Sequence, residues 1–97
     1  MRFEWDQRKN EANIEKHGLD FHDAHSIFGL PMLVGIDDRG DYGEDRWIGV
    51  GLLDGRVVVV VFSESQDETV RIISLRKALS HESKRYENYL KNELGAC

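Results

Sequence analysis

The spacing of apolar residues changes along this chain, and each change predicts a new kind of element. Phe3 and Trp5 alternate with Arg2 and Glu4, the period of a short strand. Asp6 stands where a helix needs an N-cap, and Gln7 to His17 reads as a helix closed by Gly18. Ala12 and Ile14 are its only apolar members, so docking rather than a wide apolar stripe must hold it. Asp20 is a second N-cap. Phe21, Ala24, His25 and Phe28 then fall at i, i+3, i+4 and i+7, which predicts a short helix with His25 turned into the core. Gly29 and Pro31 end it, and the brief Gly18-Leu19 link makes the two helices a hairpin.

From Met32 onward the period becomes two. Met32 to Ile36 reads as a strand, and Asp37 to Gly43 as a long polar loop. Arg46 to Leu53 is a strand with unlike sides: Arg46, Ile48, Val50 and Leu52 share one, Trp47, Gly49, Gly51 and Leu53 the other. Asp54-Gly55 is a strong hairpin signal. Val57 to Phe62, apolar on both faces, follows as a central strand, and Val70 to Leu75 as the next. Ser80 to Leu94 is a final helix with Leu79, Ser83, Tyr86, Leu90 and Leu94 roughly along one side. The order predicts an α+β domain in which a helical hairpin and a C-terminal helix pack on a mainly antiparallel sheet of about four to five strands.

Composition narrows the function classes. At 97 residues the chain is one domain, 40% hydrophobic and 32% charged, an ordinary globular balance. The longest apolar run, Val57 to Phe62, is far too short to span a membrane, and Met1 to Asp6 has no apolar core of a signal peptide, so a cytoplasmic protein is expected. The single cysteine, Cys97, cannot form an internal disulfide. A net charge of −5 argues against a general nucleic-acid or membrane binder but leaves room for a small basic site on an acidic body.

Such a site has one obvious location. Arg71-Ile72-Ile73-Ser74-Leu75-Arg76-Lys77 places guanidinium groups on a rigid strand and a lysine at its exit, with Lys84 and Arg85 following on the last helix. Fixed cations of this kind suit an anionic ligand, above all a phosphodiester backbone. In a regular strand Arg71 and Arg76 have opposite parity, so both reach one site only if the strand bends or ends near Leu75. Arg46 opens a neighbouring strand. His17 ends the first helix, either as a cap or as a proton carrier, and His81 opens the last. His22 and His25 lie three apart without a third ligand at metal spacing, so no metal and no other cofactor is expected. Gly49 and Gly51 form a shallow trough with Trp47 at one end, open to a base, to a partner helix, or to this chain's own helix.

Taken in order, Phe3-Glu4-Trp5-Asp6, Lys9, Asn13, Lys16-His17-Gly18, Asp20-Phe21, Ala24 and Phe28 resemble the BrnT family. So do Arg46, Gly49, Gly51, the valine strand, Arg71-Ile72-Ile73-Ser74, Arg76, Ala78, Glu82 and Tyr86; Leu75 departs from the alanine of many relatives. The resemblance implies a RelE-like fold and a metal-independent endoribonuclease toxin of a type II toxin–antitoxin pair. It further implies a BrnA-like ribbon–helix–helix antitoxin, a hetero-oligomeric complex, and operator DNA reached only through that antitoxin. On this reading Arg71 and Arg76 stabilise charge on the phosphate, Arg46, Lys77 and Trp47 hold RNA, and His17, Glu82 or Tyr86 moves protons. The alternative is a non-catalytic module that binds a basic partner helix in the glycine trough.

Overall fold

A strand apolar on both faces must be covered above and below, and Val57 to Phe62 is so covered. The computed structural model describes residues 1–40 and 45–93 and places this segment at the middle of one five-stranded sheet. The strands are β1 (Arg2–Glu4), β2 (Leu33–Ile36), β3 (Trp47–Leu53), β4 (Arg56–Glu64) and β5 (Thr69–Lys77), in the order β1-β5-β4-β3-β2. The sheet is mixed. Pairs β2/β3, β3/β4 and β4/β5 are antiparallel, whereas β1 lies parallel to β5, with Phe3 opposite Val70. That parallel pair joins segments far apart in the chain, so no hairpin signal announces it. Asp54 and Gly55 turn β3 into β4 with φ of 51° and 77°, the positive pair that a tight hairpin requires.

Helix α1 (Gln7–His17) starts and stops on local chemistry. The Asp6 carboxylate accepts the Arg8 and Lys9 N–H groups, and Gly18 closes the helix at φ 72°. Two asparagines dock it. Buried Asn10 receives the Phe21 N–H and donates to Asp20, while Asn13 donates to Leu19 O and Leu75 O and accepts the Leu75 N–H at 3.2 Å. Asn13 thereby takes the place of a neighbouring strand along the part of β5 that β1 does not reach.

The second helix is not the α-helix that the spacing predicts. Phe21–Gly29 is a 3₁₀ helix, whose three-residue period buries Phe21, Ala24 and Ile27 and turns His25 outward. His25 meets only the rim of the core, near the Phe3 ring. The segment lies close on the sheet, since a Cβ on Gly51 would lie 2.8 Å from Ile27 Cγ2. The Asp20 carboxylate caps this segment through His22, and its pKa falls to about 2, first through the His22 N–H and then through Asn10 and the His22 ring.

The main core lies between this segment and one face of the sheet, where Leu53, Val58, Val60, Phe62, Val70, Ile72 and Leu75 meet Phe21, Ala24 and Ile27. Each such side chain contributes about 1.5–3 kcal/mol relative to exposure. The other face is crossed by α2 (Ser80–Glu93). Leu94 and Cys97, and Asp41 to Gly43 of the polar loop, lie outside the described residues. No described helix is long and apolar enough to cross a membrane.

Candidate active site

The parity problem of β5 is resolved by a bulge. Pairing with β4 runs from Val58 opposite Lys77 to Val61 opposite Ser74, then resumes one residue out of step with Phe62 opposite Ile72. Ile73 has no opposite residue, and alternation restarts beyond it. Arg71 (opposite Ser63), Ser74 (opposite Val61) and Arg76 (opposite Val59) therefore share one face. Burial confirms the shift, because Val70, Ile72 and Leu75 all enter the core on the reverse side, which an unbroken strand cannot do.

Arg76 is gripped from α2. Its Nη1 and Nη2 donate to the two oxygens of Glu82 at 2.8 Å each, and Nη1 also reaches Lys77 O at 3.2 Å. Glu82 additionally accepts the Leu79 N–H at 2.7 Å, tying the exit of β5 to the first turn of α2. The Arg76 hydrogen bonds hold the Glu82 carboxyl down at about 2 against the opposing effect of burial, so it is an anion at neutral pH. Arg76 is raised above its ordinary range, first by those same bonds; partial burial and the nearby charge of Arg39 oppose the shift. A guanidinium has five N–H groups, and three are used here, leaving two that can meet a phosphate oxygen.

Around Arg76 and Lys77, the end of α1 adds Lys16 and His17, and with Leu79 these residues line an open hollow of about 590 Å³. Four predicted residues thus come together, namely His17, Arg76, Lys77 and Glu82. Arg71 lies further along the same face, its Nη1 2.8 Å from Glu4 on β1. Arg46 immediately precedes β3, where continuation of the register sets it opposite Ser63, in the row of Arg71. Its carbonyl accepts the Asp37 N–H at 2.8 Å.

Two predicted residues stand apart. Trp47 pairs with Phe62 and Ile36 on the reverse face and packs against the core. Tyr86 is wholly buried, its hydroxyl donating to Pro31 O at 2.6 Å, and burial pushes its phenol pKa up. The glycine trough is occupied by the chain itself, since a Cβ on Gly49 would meet the Met32 side chain and one on Gly51 would meet Ile27. A partner helix has no room there. His22, held 2.8 Å from Asp20, sits beside Trp5 and away from these arginines, and His81 is exposed.

The sequence reading passed over Arg39. Its Nε and Nη2 meet the buried Asp37 carboxylate at 2.7 and 2.8 Å, a two-pronged clamp. The Asp-x-Arg spacing inside a polar loop is too common to have marked it.

Comparison with known proteins agrees with this architecture. Residues 5–82 match the family model described as the ribonuclease toxin BrnT of type II toxin–antitoxin systems. Among solved structures, the chain is similar to the ribonuclease toxin BrnT of Brucella abortus, with 30% identity and a TM-score of 0.64 over 82% of this chain and 99% of that one. No curated protein sequence matches it significantly.

Proposed function

This chain belongs to the BrnT family of ribonuclease toxins of type II toxin–antitoxin systems, and on that premise we propose that it is a metal-independent endoribonuclease acting at the arginine face of its sheet. The observation that carries the proposal is the bulge at Ile73, because it sets Arg71, Ser74 and Arg76 side by side on one surface. RNA lies across that surface with a phosphate against Arg76 and Lys77 and the adjoining backbone toward Arg71 and Arg46. The ribose 2′-oxygen attacks the neighbouring phosphorus, and the bond from phosphorus to the 5′-oxygen breaks, giving a cyclic phosphate and a 5′-hydroxyl. Charge that builds on the non-bridging oxygens is met by Arg76, already oriented by Glu82; a donor of this kind is typically worth about 3 kcal/mol.

His17 lines the same hollow and is the group we assign to proton transfer. Glu82 suits that task poorly, since a carboxyl held at about 2 neither donates a proton nor readily accepts one at neutral pH. We assign it to the positioning of Arg76. Tyr86, committed to Pro31 O, is assigned to packing. Trp47, on the far face, is not assigned a contact with RNA.

The fold reading that accompanies this is RelE-like, supported by the helix pair ahead of an antiparallel meander. The expected partner is a BrnA-like ribbon–helix–helix antitoxin, joined in a hetero-oligomer that reaches operator DNA through the antitoxin, all within the cytoplasm. The purified chain should cut RNA in excess chelator, and Arg76→Ala should slow it about a hundredfold. Cleavage that appears only on adding a divalent cation would remove the metal-independent scheme.

A further inference from the structure

We propose that Arg39 is a further phosphate ligand of the arginine face and that buried Asp37 is the positioning residue that presents it. This rests on the reading of that face as the RNA site. The Asp37 side chain is 1% exposed and that of Arg39 61%, so a buried anion anchors a cation whose body stands in solvent. Burying a carboxylate costs several kcal/mol unless it is paired and hydrogen-bonded. A surface arginine kept merely for solubility needs no such anchor.

Asp37 is itself fixed to the sheet. It follows β2 directly, and its N–H bonds to Arg46 O, prolonging the β2/β3 ladder by one rung. The clamp through Nε and Nη2 sets the plane of the Arg39 guanidinium as well as its position. A third bond, from the Arg39 N–H to the same carboxylate at 3.3 Å, holds the backbone in place. The charge of Arg39 is felt at Arg76, and the charge of Arg46 is felt at Asp37, so these groups occupy one electrostatic neighbourhood. From β2 to β5 the face crosses three strand gaps, about 14 Å. Since α2 crosses the middle of the face, where Val59 and Val61 are buried, Arg39 serves the β2 margin and Arg71 and Arg76 the β5 margin.

The test is binding of a short 2′-O-methyl RNA oligonucleotide, which has no attacking hydroxyl, followed by anisotropy across a salt series. Arg39→Ala should weaken binding about tenfold and lower the slope of log K against log salt by about 0.7, one single-strand phosphate contact. Asp37→Asn supplies a test of sign. It removes a negative charge, which by net charge alone strengthens RNA binding, whereas loss of the clamp weakens it. Weaker binding by Asp37→Asn, with no further loss when it is added to Arg39→Ala, supports the positioning role. If Asp37→Asn does not fold, Arg39→Lys decides, because it keeps the charge, loses the fork, and should weaken binding severalfold. Unchanged affinity and slope in Arg39→Ala and Arg39→Lys, while Arg71→Ala and Arg76→Ala bind less, would overturn the Arg39 assignment and leave the RNA face standing. Unchanged binding in all four would remove both.

Discussion

On the face clad by the 3₁₀ segment, β5 contributes Val70, Ile72 and Leu75 to a core closed to water; on the face under α2 the same strand contributes Arg71, Ser74 and Arg76. The first face is apolar and filled to the point that glycines are needed at 49 and 51. The second carries guanidinium groups held by carboxylates from other elements: Glu4 of β1 for Arg71 and Glu82 of α2 for Arg76. The contrast is one of kind at β5, although Val59, Val61 and Tyr86 are buried on the α2 side as well. Substitutions on one side should move melting temperature, and those on the other should move RNA turnover.

The strongest test of that division is Arg76→Ala, expected to cost about two orders of magnitude in cleavage with a far smaller loss of stability. Turnover that falls only in proportion to the unfolded fraction would abolish the distinction. Next is Asn13→Leu at the rim of the dry face. It strands the Leu75 N–H and C=O and should cost about 3 kcal/mol in denaturant unfolding while the remaining folded protein cuts RNA normally. Gly51→Ala should cost about 1–3 kcal/mol, since its methyl would press on Ile27 at 2.8 Å. A neutral result there would mean that the 3₁₀ segment shifts freely, contrary to the close fit described.

A smaller effect, of opposite character, belongs to Glu82. Its folded pKa of about 2 lies below the ordinary value near 4.3, so its stabilising contribution is complete above that value and is lost as pH falls toward 2. Urea midpoints of the wild-type chain and Glu82→Gln should therefore differ most at pH 6 and converge near pH 2, from a gap of about 1–2 kcal/mol. A gap that stays constant with pH would show that the pair contributes nothing through charge. Smallest of all, Trp47→Phe should change RNA affinity less than twofold, because the ring lies on the wrong side to touch the strand. A tenfold loss would place RNA on both faces.

What could be read from the sequence was what is decided locally. Asp6 and Gly18 bound α1 through their own side-chain and backbone chemistry, and Asp54-Gly55 set the β3/β4 hairpin by its φ angles. The valine run declared itself central because nothing else tolerates two apolar faces. By contrast, the bulge at Ile73 exists only relative to Val61 and Phe62 on another strand, so parity counted along β5 alone leaves open whether Arg71 and Arg76 share a face. The i, i+3, i+4 and i+7 spacing of Phe21, Ala24, His25 and Phe28 does not tell an α-helix from the 3₁₀ segment found, whose three-residue period leaves His25 outside. Of the candidate site, His17, Arg76, Lys77 and Glu82 are legible in the sequence and adjacent in the fold; the side that Trp47 shares with Gly49 and Gly51 is legible too, but parity alone does not say that this is the dry side. Arg39 became visible only once Asp37 was seen to be buried beneath it.

The amide of Asn13 has one more effect, on what the protein can become. By occupying the Leu75 backbone groups it stops the β1 side of the sheet from recruiting another chain beyond the three residues of β1 itself. The sheet's two open margins are then the short strand β1 and, opposite it, β2, which are the borders at which accidental pairing with another chain would begin.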